Sequence, residues 1–148
     1  DTYKEVNTNF SNSYRVNIYK CALQVIKKSV WIGHGVGDEK DQLNICYEKE
    51  NQLLLKKGYN SHNQYLDILI KLGIVGLICF VLFLFYNLYK AFFSFNSVLF
   101  YLILFYCINF LTENVLVRQS GLILFVFFIH FFRLDNQKII SDCETYGH

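Results

Sequence analysis

Residues 61–76 read SHNQYLDILIKLGIVG, and this stretch decides the fold that the sequence predicts. A histidine and an asparagine stand directly before an apolar run that continues well beyond Gly76. Ionisable groups at the mouth of a membrane-length segment more often mark a functional site than a packing position. The stretch therefore predicts a transmembrane helix with a polar site at its start.

The start of this helix is predicted from its capping residues. Ser61 and Gln64 form the S-x-x-Q pattern of a capping box, so we expect the helix to begin at Ser61. His62 and Asn63 then occupy its first turn. The partial positive charge at that end of a helix attracts an anionic group such as a phosphate.

Two glycines of the stretch are predicted to share a helix face with the histidine. At about 100° per residue, Gly73 and Gly76 lie within roughly 40° of the direction of His62. Glycines let a neighbouring helix approach closely, so we expect helix packing at the site beneath the imidazole. Asp67 points roughly 140° away from His62, and we do not expect these two to form an acid–base pair.

Composition changes sharply along the chain. Of the 148 residues 53% are hydrophobic, and residues 65–134 are almost continuously apolar. We expect an extracytoplasmic helical loop region over 1–64, transmembrane helices over 65–134 and a polar cytoplasmic tail over 135–148. The predicted fold class is all-α, a polytopic transmembrane helical protein. Because the chain begins at Asp1 and contains no Met, we expect a fragment or a processed product.

Three apolar runs approach the roughly 20 residues that a bilayer span requires. They cover about residues 66–89, 97–111 and 115–134, and the connections between them are short. Each run is apolar all round, which argues against a soluble helical core, because no polar face is left for water. The sequence thus predicts three transmembrane helices.

The basic residues predict the orientation of these spans. With three spans, Lys90, Arg133 and Lys138 fall on one side of the membrane. The positive-inside rule places that side in the cytoplasm. Residues 1–64 and the turn at 112–114 are then outside.

The polar part of the chain is also predicted to be helical. Residues 15–31 have the apolar spacing of an amphipathic helix, with Ser11 or Ser13 as its cap. The apolar positions are Ile18, Ala22, Val25, Ile26 and Trp31. A G-x-G-x-G loop follows at 33–37, and a second helix is expected over 41–57. The loop is a weak phosphate-binding signal, because it follows a helix and lacks the P-loop lysine.

Charge and cysteine content exclude several classes of protein. A formal net charge of +2, with no basic cluster interleaved with aromatic residues, argues against binding of nucleic acid. The five cysteines have neither metal-site spacing nor a C-x-x-C pattern. Their odd number and scattered positions argue against a disulfide framework. We therefore expect no metal and no cofactor.

The stretch resembles the catalytic region of the O-antigen ligase and polymerase superfamily of bacterial membrane proteins. The family pattern is H-[N/S]-x9-G-x-x-G at the start of a transmembrane helix, and the matching residues are His62, Asn63, Gly73 and Gly76. Two further pieces match in the right order. They are the Arg15-led helix with the loop Gly33, Gly35, Gly37, and the polar turn Glu113-Asn114 followed by Arg118-Gln119-Ser120-Gly121. The resemblance covers essentially residues 11–134.

The resemblance implies a membrane glycosyltransferase of the bacterial inner membrane, with its active site on the periplasmic side. Such an enzyme transfers a glycan from undecaprenyl diphosphate to a sugar hydroxyl of lipid A-core, with inversion and without a metal. Family members have many more spans, so the resemblance implies that this chain is the C-terminal portion of one. The family's other functional arginine lies further upstream, and we therefore expect the isolated chain to be inactive.

The resemblance also implies roles for single residues. Arg15 would bind the diphosphate of the donor, since a guanidinium fork suits phosphate oxygens. His62 would orient or deprotonate the acceptor hydroxyl. Asn63 would hold the substrate or the loop. To these we add Arg118, from the outer turn, as a second phosphate contact.

Several alternatives remain open from the sequence. A polymerase that extends lipid-linked repeats, and an enzyme that transfers to a protein, share the motif and differ in acceptor. A transporter fragment would need polar residues near the middle of several spans, where the sequence offers little besides Asn109 and His130. A non-catalytic truncated membrane protein is the last alternative, against which an intact reading frame upstream would argue.

Overall fold

The computed structural model describes residues 2–50 and 52–146, and describes side chains over 15–50, 54–56 and 58–134. Over these residues the chain is helical and contains no strand, which confirms the all-α prediction. The helices are α1 (Thr2–Lys28), α2 (Glu39–Glu50), α3 (Gln52–Lys57), α4 (Gln64–Phe93), α5 (Ser97–Thr112) and α6 (Gln119–Tyr146), with a single 3₁₀ turn at Val115–Val117 before α6.

The chain forms two compact units, Asp1–Ile78 and Cys79–His148, and the division falls inside α4. The first unit has a core made by one face of α1, the buried face of α2, Leu54 of α3 and the start of α4. Tyr59, Leu66 and Leu69 pack against this core.

Helix α1 buries the apolar face that the sequence predicts. Ile18, Ala22, Val25 and Ile26 are all buried, whereas Trp31 is exposed and lies beyond the end of the helix. The predicted caps are wrong, since α1 begins at Thr2 and both Ser11 and Ser13 lie inside it. A helix that starts further upstream has no need of either serine as a cap.

The helix predicted over 41–57 is two helices, α2 and α3. A disulfide between Cys21 and Cys46 joins α1 to α2 inside the core. The cysteine argument from the sequence is therefore wrong. An odd total leaves at least one thiol unpaired, but it does not prevent two buried cysteines on facing helices from pairing. Cys79, in the second unit, is a free thiol.

Helix α4 is the one helix, among the described residues, that is both long and apolar enough to cross a membrane. Only 17% of its most apolar window is buried. Its thirty residues would span about 45 Å if straight. It is interrupted at Gly73, which has φ 67° and ψ −166°, a backbone conformation that favours glycine.

The other two predicted spans are shorter in the structure than in the sequence prediction. Helix α5 has 16 residues, and the apolar part of α6 runs over Gln119–Leu134. The predicted third span begins at residue 115, but residues 115–117 form the separate 3₁₀ turn. Helix α6 then continues to Tyr146, through most of the segment predicted as a polar tail. The number of spans therefore stays a prediction.

The second unit packs mainly through aromatic rings. The ring of Tyr106 on α5 lies 4.8 Å from that of Phe125 on α6, and the ring of Phe110 lies 5.5 Å from Phe125. Asn96 caps α5 by accepting from the Leu99 N–H, and its side-chain amide donates to the carbonyl of Phe132 at 2.8 Å. The turn before α5 is thereby tied to α6.

Candidate functional site

The break in α4 is filled by the loop that connects α1 to α2. The N–H groups of His34 and Gly35 donate to the carbonyls of Ile70 and Lys71 at 2.8 and 2.9 Å, and the N–H of Ile74 donates to the carbonyl of Val30 at 2.8 Å. These bonds replace the helical bonds that the conformation of Gly73 interrupts. The loop and the interrupted helix are thus held together by backbone hydrogen bonds.

Two glycines permit this close approach. A Cβ on Gly33 would lie 2.5 Å from the carbonyl of Lys71, and a Cβ on Gly73 would meet the carbonyl of Trp31. The close approach predicted at Gly73 is therefore real, but it is made by a loop, backbone to backbone, rather than by a helix. At Gly76 a Cβ would meet the side chain of Leu72 in the same helix.

Helix α4 begins at Gln64, and Asn63 is its N-cap. The Asn63 Oδ1 accepts from the N–H groups of Tyr65 and Leu66 at 3.0 and 3.1 Å, the contacts that define an N-cap. The predicted capping box at Ser61 is wrong. Ser61 is buried, and its hydroxyl donates to the carbonyl of Asn63 at 3.3 Å.

His62 precedes the helix and does not lie in its first turn. Its backbone is left-handed, with φ 48°, a conformation that is uncommon for a residue other than glycine. Its half-exposed imidazole lies 5.8 Å from the ring of Tyr59, at an angle of 55°. The prediction that His62 shares a helix face with Gly73 and Gly76 is wrong, because His62 is outside the helix and Gly73 breaks its phase.

The two arginines lie in different units of the chain. Arg15 is exposed on α1, one turn before Ile18. Ile18 belongs to the core against which Tyr59, three residues before His62, packs. Arg118 belongs to the second unit, where it is exposed and its carbonyl accepts from the N–H of Leu122 at the start of α6.

A buried charged cluster lies near the loop, and the sequence analysis missed it. The Lys71 ammonium lies 2.7 Å from the Asp67 carboxylate and 3.0 Å from the Glu39 carboxylate. Both carboxylates are buried. Asp67 and Lys71 are four residues apart on one helix, a pairing that the sequence does signal. The contact with Glu39 crosses from α4 to α2, and no local pattern predicts it.

Two groups on α2 have raised pKa values. Burial and then the charge of Asp67 raise the pKa of Glu39 above its ordinary 4.5. Burial and then the charge of Glu39 raise the pKa of Tyr47 to about 12. Tyr47 is fully buried, and among the described residues its hydroxyl has no hydrogen-bond partner.

His34 anchors the loop to α1. Its Nε2 lies 2.9 Å from the carbonyl of Val25, and its backbone N–H donates to α4 as described above. Its imidazole is therefore committed to a structural contact. No group of three or more His, Cys, Asp and Glu side chains that could hold a metal ion occurs in the described part of the chain.

Comparison with known proteins gives one match. A protein-family model described as O-antigen ligase matches residues 2–81, more than half of the chain. The match covers the loop, the His62 segment and the first part of α4, and it ends before Arg118. No curated protein and no solved structure matches the chain.

Proposed function

This chain belongs to the O-antigen ligase family, and on that basis we propose that it takes part in transfer of a glycan from undecaprenyl diphosphate to a sugar hydroxyl of lipid A-core. The observation that carries the proposal is the placement of His62. It stands outside α4, directly before the N-cap, with a left-handed backbone and a half-exposed ring. Left-handed residues other than glycine cluster at functional sites.

His62 acts as the general base in this proposal. Its imidazole takes the proton of the acceptor hydroxyl as the oxygen attacks the anomeric carbon of the donor glycan. The bond between that carbon and the diphosphate oxygen breaks, and undecaprenyl diphosphate leaves with the electron pair. Attack from the opposite face inverts the configuration at the anomeric carbon, and no metal takes part.

Arginines would hold the diphosphate. Arg15 is exposed on α1, so its guanidinium is accessible to a ligand. Paired N–H donors of a guanidinium match phosphate oxygens and stabilise the charge that develops on the leaving group. For Arg118, exposed before α6 in the second unit, the role of a second phosphate contact stays a prediction.

Asn63 serves the site by holding the backbone around His62. Its Oδ1 is committed to two backbone N–H groups of α4, and its carbonyl accepts from both the Ser61 hydroxyl and the Asp67 N–H. Of the two roles expected for Asn63, these contacts support the holding of the loop. These hydrogen bonds hold the backbone around His62 in a fixed position, so the imidazole is oriented before the substrate binds.

Two observations support a site on the periplasmic side of a multi-span inner-membrane protein. The apolar helix α4 begins immediately after the His62 segment. The disulfide between Cys21 and Cys46 lies in the same unit as His62. Disulfides persist in oxidising compartments such as the periplasm and are rare in the cytoplasm. Both observations are compatible with α1, α2 and His62 outside the cytoplasm.

The test is complementation by the complete gene that encodes this chain, in a strain from which the gene is deleted. We expect the gene to restore attachment of surface polysaccharide to lipid A-core, and glycan on undecaprenyl diphosphate to accumulate without it. A change in polysaccharide chain length with attachment intact would instead identify a polymerase. No change in either property would contradict both enzymatic functions.

A further inference from the structure

The loop between α1 and α2 presents large apolar side chains to its surroundings. Trp31, Ile32 and Val36 are 72%, 80% and 72% exposed. In water, three such residues so close together in one short loop would be an unfavourable apolar patch. These exposed fractions are those in the complete chain, so no described element of the first unit covers the three side chains.

Several backbone groups of this loop are hydrogen-bonded to the protein. The backbone N–H of Gly33 donates to the carbonyl of Ser29, just after α1, and those of His34 and Gly35 donate to carbonyls of α4. The carbonyl of Val30 accepts from the N–H of Ile74. The Ser29 hydroxyl donates to the Gly33 carbonyl at 2.7 Å. Irregular backbone is tolerated at membrane depth only where its polar groups are satisfied by protein. The loop meets that condition at the N–H groups of Gly33, His34 and Gly35 and at the carbonyls of Val30 and Gly33.

Hydrogen bonds to α4 set the depth of the loop. Residues 72–89 lie between Lys71 and Lys90 and carry no charge. Their length as a helix is about 27 Å, close to the roughly 30 Å of the hydrocarbon core. The loop is bonded to Ile70, Lys71 and Ile74, at one end of this uncharged stretch. With α4 across a bilayer, a segment held there would lie at the boundary between lipid chains and headgroups.

Charged residues flank the apolar tip on both sides. Lys27 and Lys28 end α1, and Asp38 and Lys40 follow the loop, all of them exposed. Tryptophan is enriched at membrane interfaces, and lysines near an interface reach toward the headgroups. The order of charge, apolar tip and charge fits a loop that dips into an interface and returns.

We propose that residues 30–36 form an interfacial membrane loop, in which Trp31, Ile32 and Val36 contact the acyl chains of bilayer lipid next to α4. The loop extends the lipid-facing surface of α4, where Leu72 and Val75 are also exposed. It thereby fixes the height of the broken helix relative to the membrane surface. The proposal depends on α4 crossing the bilayer and is independent of glycan transfer.

The chain contains a single tryptophan, so Trp31 reports directly on its own surroundings. The full chain is reconstituted in vesicles of phosphatidylethanolamine and phosphatidylglycerol, with part of the lipid replaced by phosphatidylcholine brominated on its acyl chains. We expect the fluorescence emission of Trp31 to be blue-shifted. Brominated lipid should quench most of this emission, and aqueous iodide should quench little of it. Bromines near the glycerol should quench more strongly than bromines near the methyl ends.

A matched pair of variants distinguishes the effect of a charge in the loop from the effect of a charge elsewhere on the surface. The double substitution Ile32→Asp with Val36→Asp should make Trp31 accessible to iodide and reduce its quenching by brominated lipid. Ile45→Asp, at an exposed apolar position on α2, should change neither. Free quenching by iodide in the wild-type chain would place the loop in water and overturn the proposal. Shielding from both quenchers would show that protein covers Trp31, and would overturn it equally.

Discussion

At the scale of single residues, the site depends on backbone conformations that few side chains tolerate. His62, Gly33 and Gly73 all have positive φ values, of 48°, 74° and 67°. The two glycines bring the loop and the helix into backbone contact, and His62 turns the chain immediately before the cap of α4. A change at either glycine therefore acts on the contact between loop and helix, and a change at His62 acts on the start of α4.

Substitution of the glycines of the loop and of Gly73 by alanine should separate two free-energy costs, that of a positive φ and that of a steric clash. Gly37→Ala should be nearly neutral, since its φ is not positive and no atom lies within 4 Å of the added Cβ. Gly35→Ala, with φ 92° and open space, should cost about 1–2 kcal/mol. Gly33→Ala and Gly73→Ala add a clash with backbone atoms and should cost more, roughly 3–5 kcal/mol. Thermal unfolding in detergent measures all four, and equal effects at Gly35 and Gly73 would contradict the close approach.

Substitutions of Asn63 test whether its side chain serves as the N-cap of α4 or contacts the substrate. Asn63→Ala should destabilise the protein by about 1 kcal/mol, because two N–H groups at the start of α4 lose their acceptor. Asn63→Asp and Asn63→Ser keep a cap oxygen and should restore both stability and transfer activity. Restored stability without restored transfer would show that the amide itself contacts substrate, contrary to the holding role.

The sequence locates the His62 segment, which lies within the family match, and misses its local geometry for an identifiable reason. The spacing of His62, Asn63 and Gly73 identifies the region without any structure. Ser61 and Asn63 are both good cap residues, however, and burial of Ser61 in the core decides between them. That burial depends on contacts with distant parts of the chain, which no local pattern contains.

At the scale of elements, the first unit joins α2 to α4 through buried charge. Lys71 lies between the carboxylates of Asp67 and Glu39. Removing one partner from a buried charged cluster costs more than the cluster contributes, because the remaining charges stay buried and unpaired. The cluster therefore makes the fold sensitive to substitution of Lys71 and to pH.

Lys71→Met tests this sensitivity. At neutral pH we expect a loss of about 3–5 kcal/mol, since two buried carboxylates then face each other without a cation. The loss should shrink at low pH, as protonation relieves the repulsion. Lys40→Met, at an exposed lysine next to Glu39, is the control and should have little effect. Urea unfolding of the chain in detergent at several pH values supplies the comparison, and a pH-independent loss would argue against the cluster.

Glu39 predicts a pH dependence of its own. Because its pKa is raised from 4.5 in the folded protein, the folded state binds this proton more tightly than the unfolded state. Its contribution to stability is therefore fully present below pH 4.5 and is lost as pH rises through the raised pKa. Glu39→Gln should flatten the stability profile in that window. A profile as steep as that of the wild type would assign the dependence to another group.

The raised pKa of Tyr47 predicts a loss of stability at alkaline pH. Its folded pKa of about 12 lies above the ordinary 10, so its contribution to stability is lost as pH rises from 10 to 12. Tyr47→Phe should remove this loss. At neutral pH it should be neutral or stabilising by up to about 1 kcal/mol, because the buried hydroxyl has no partner among the described residues. Marked destabilisation by phenylalanine, seen in thermal unfolding, would reveal a partner.

Helix periodicity predicts the buried face of α1 correctly but not the interruption of α4. Apolar spacing is a local property, and Ile18, Ala22 and Val25 follow it. The sequence around Gly73 reads as a continuous apolar helix. Its break becomes visible only when the loop at Gly33 supplies the replacement hydrogen bonds. Contacts between segments that are distant in sequence thus decide both the break and the charged cluster.

At the scale of the whole molecule, the sequence correctly predicts the all-α class, and its membrane association agrees with that of the family. The three predicted spans stay a prediction. Among the described residues α4 is the one helix long and apolar enough to cross a membrane, and α5 and the apolar part of α6 are shorter. The disulfide between Cys21 and Cys46 escaped prediction because pairing depends on the packing of α1 against α2. Cysteine count alone has no information about that packing.

The central claim is that the imidazole of His62 carries the chemistry of glycan transfer. Asparagine adopts left-handed backbone more readily than most residues, so His62→Asn keeps the turn before α4 and removes the base. The measurement is polysaccharide attachment in the deletion strain that carries the complete gene with His62→Asn. The account predicts a protein that inserts in the membrane at wild-type level but loses roughly 10²–10⁴-fold in transfer, with glycan accumulating on undecaprenyl diphosphate. Attachment at the wild-type level would contradict it.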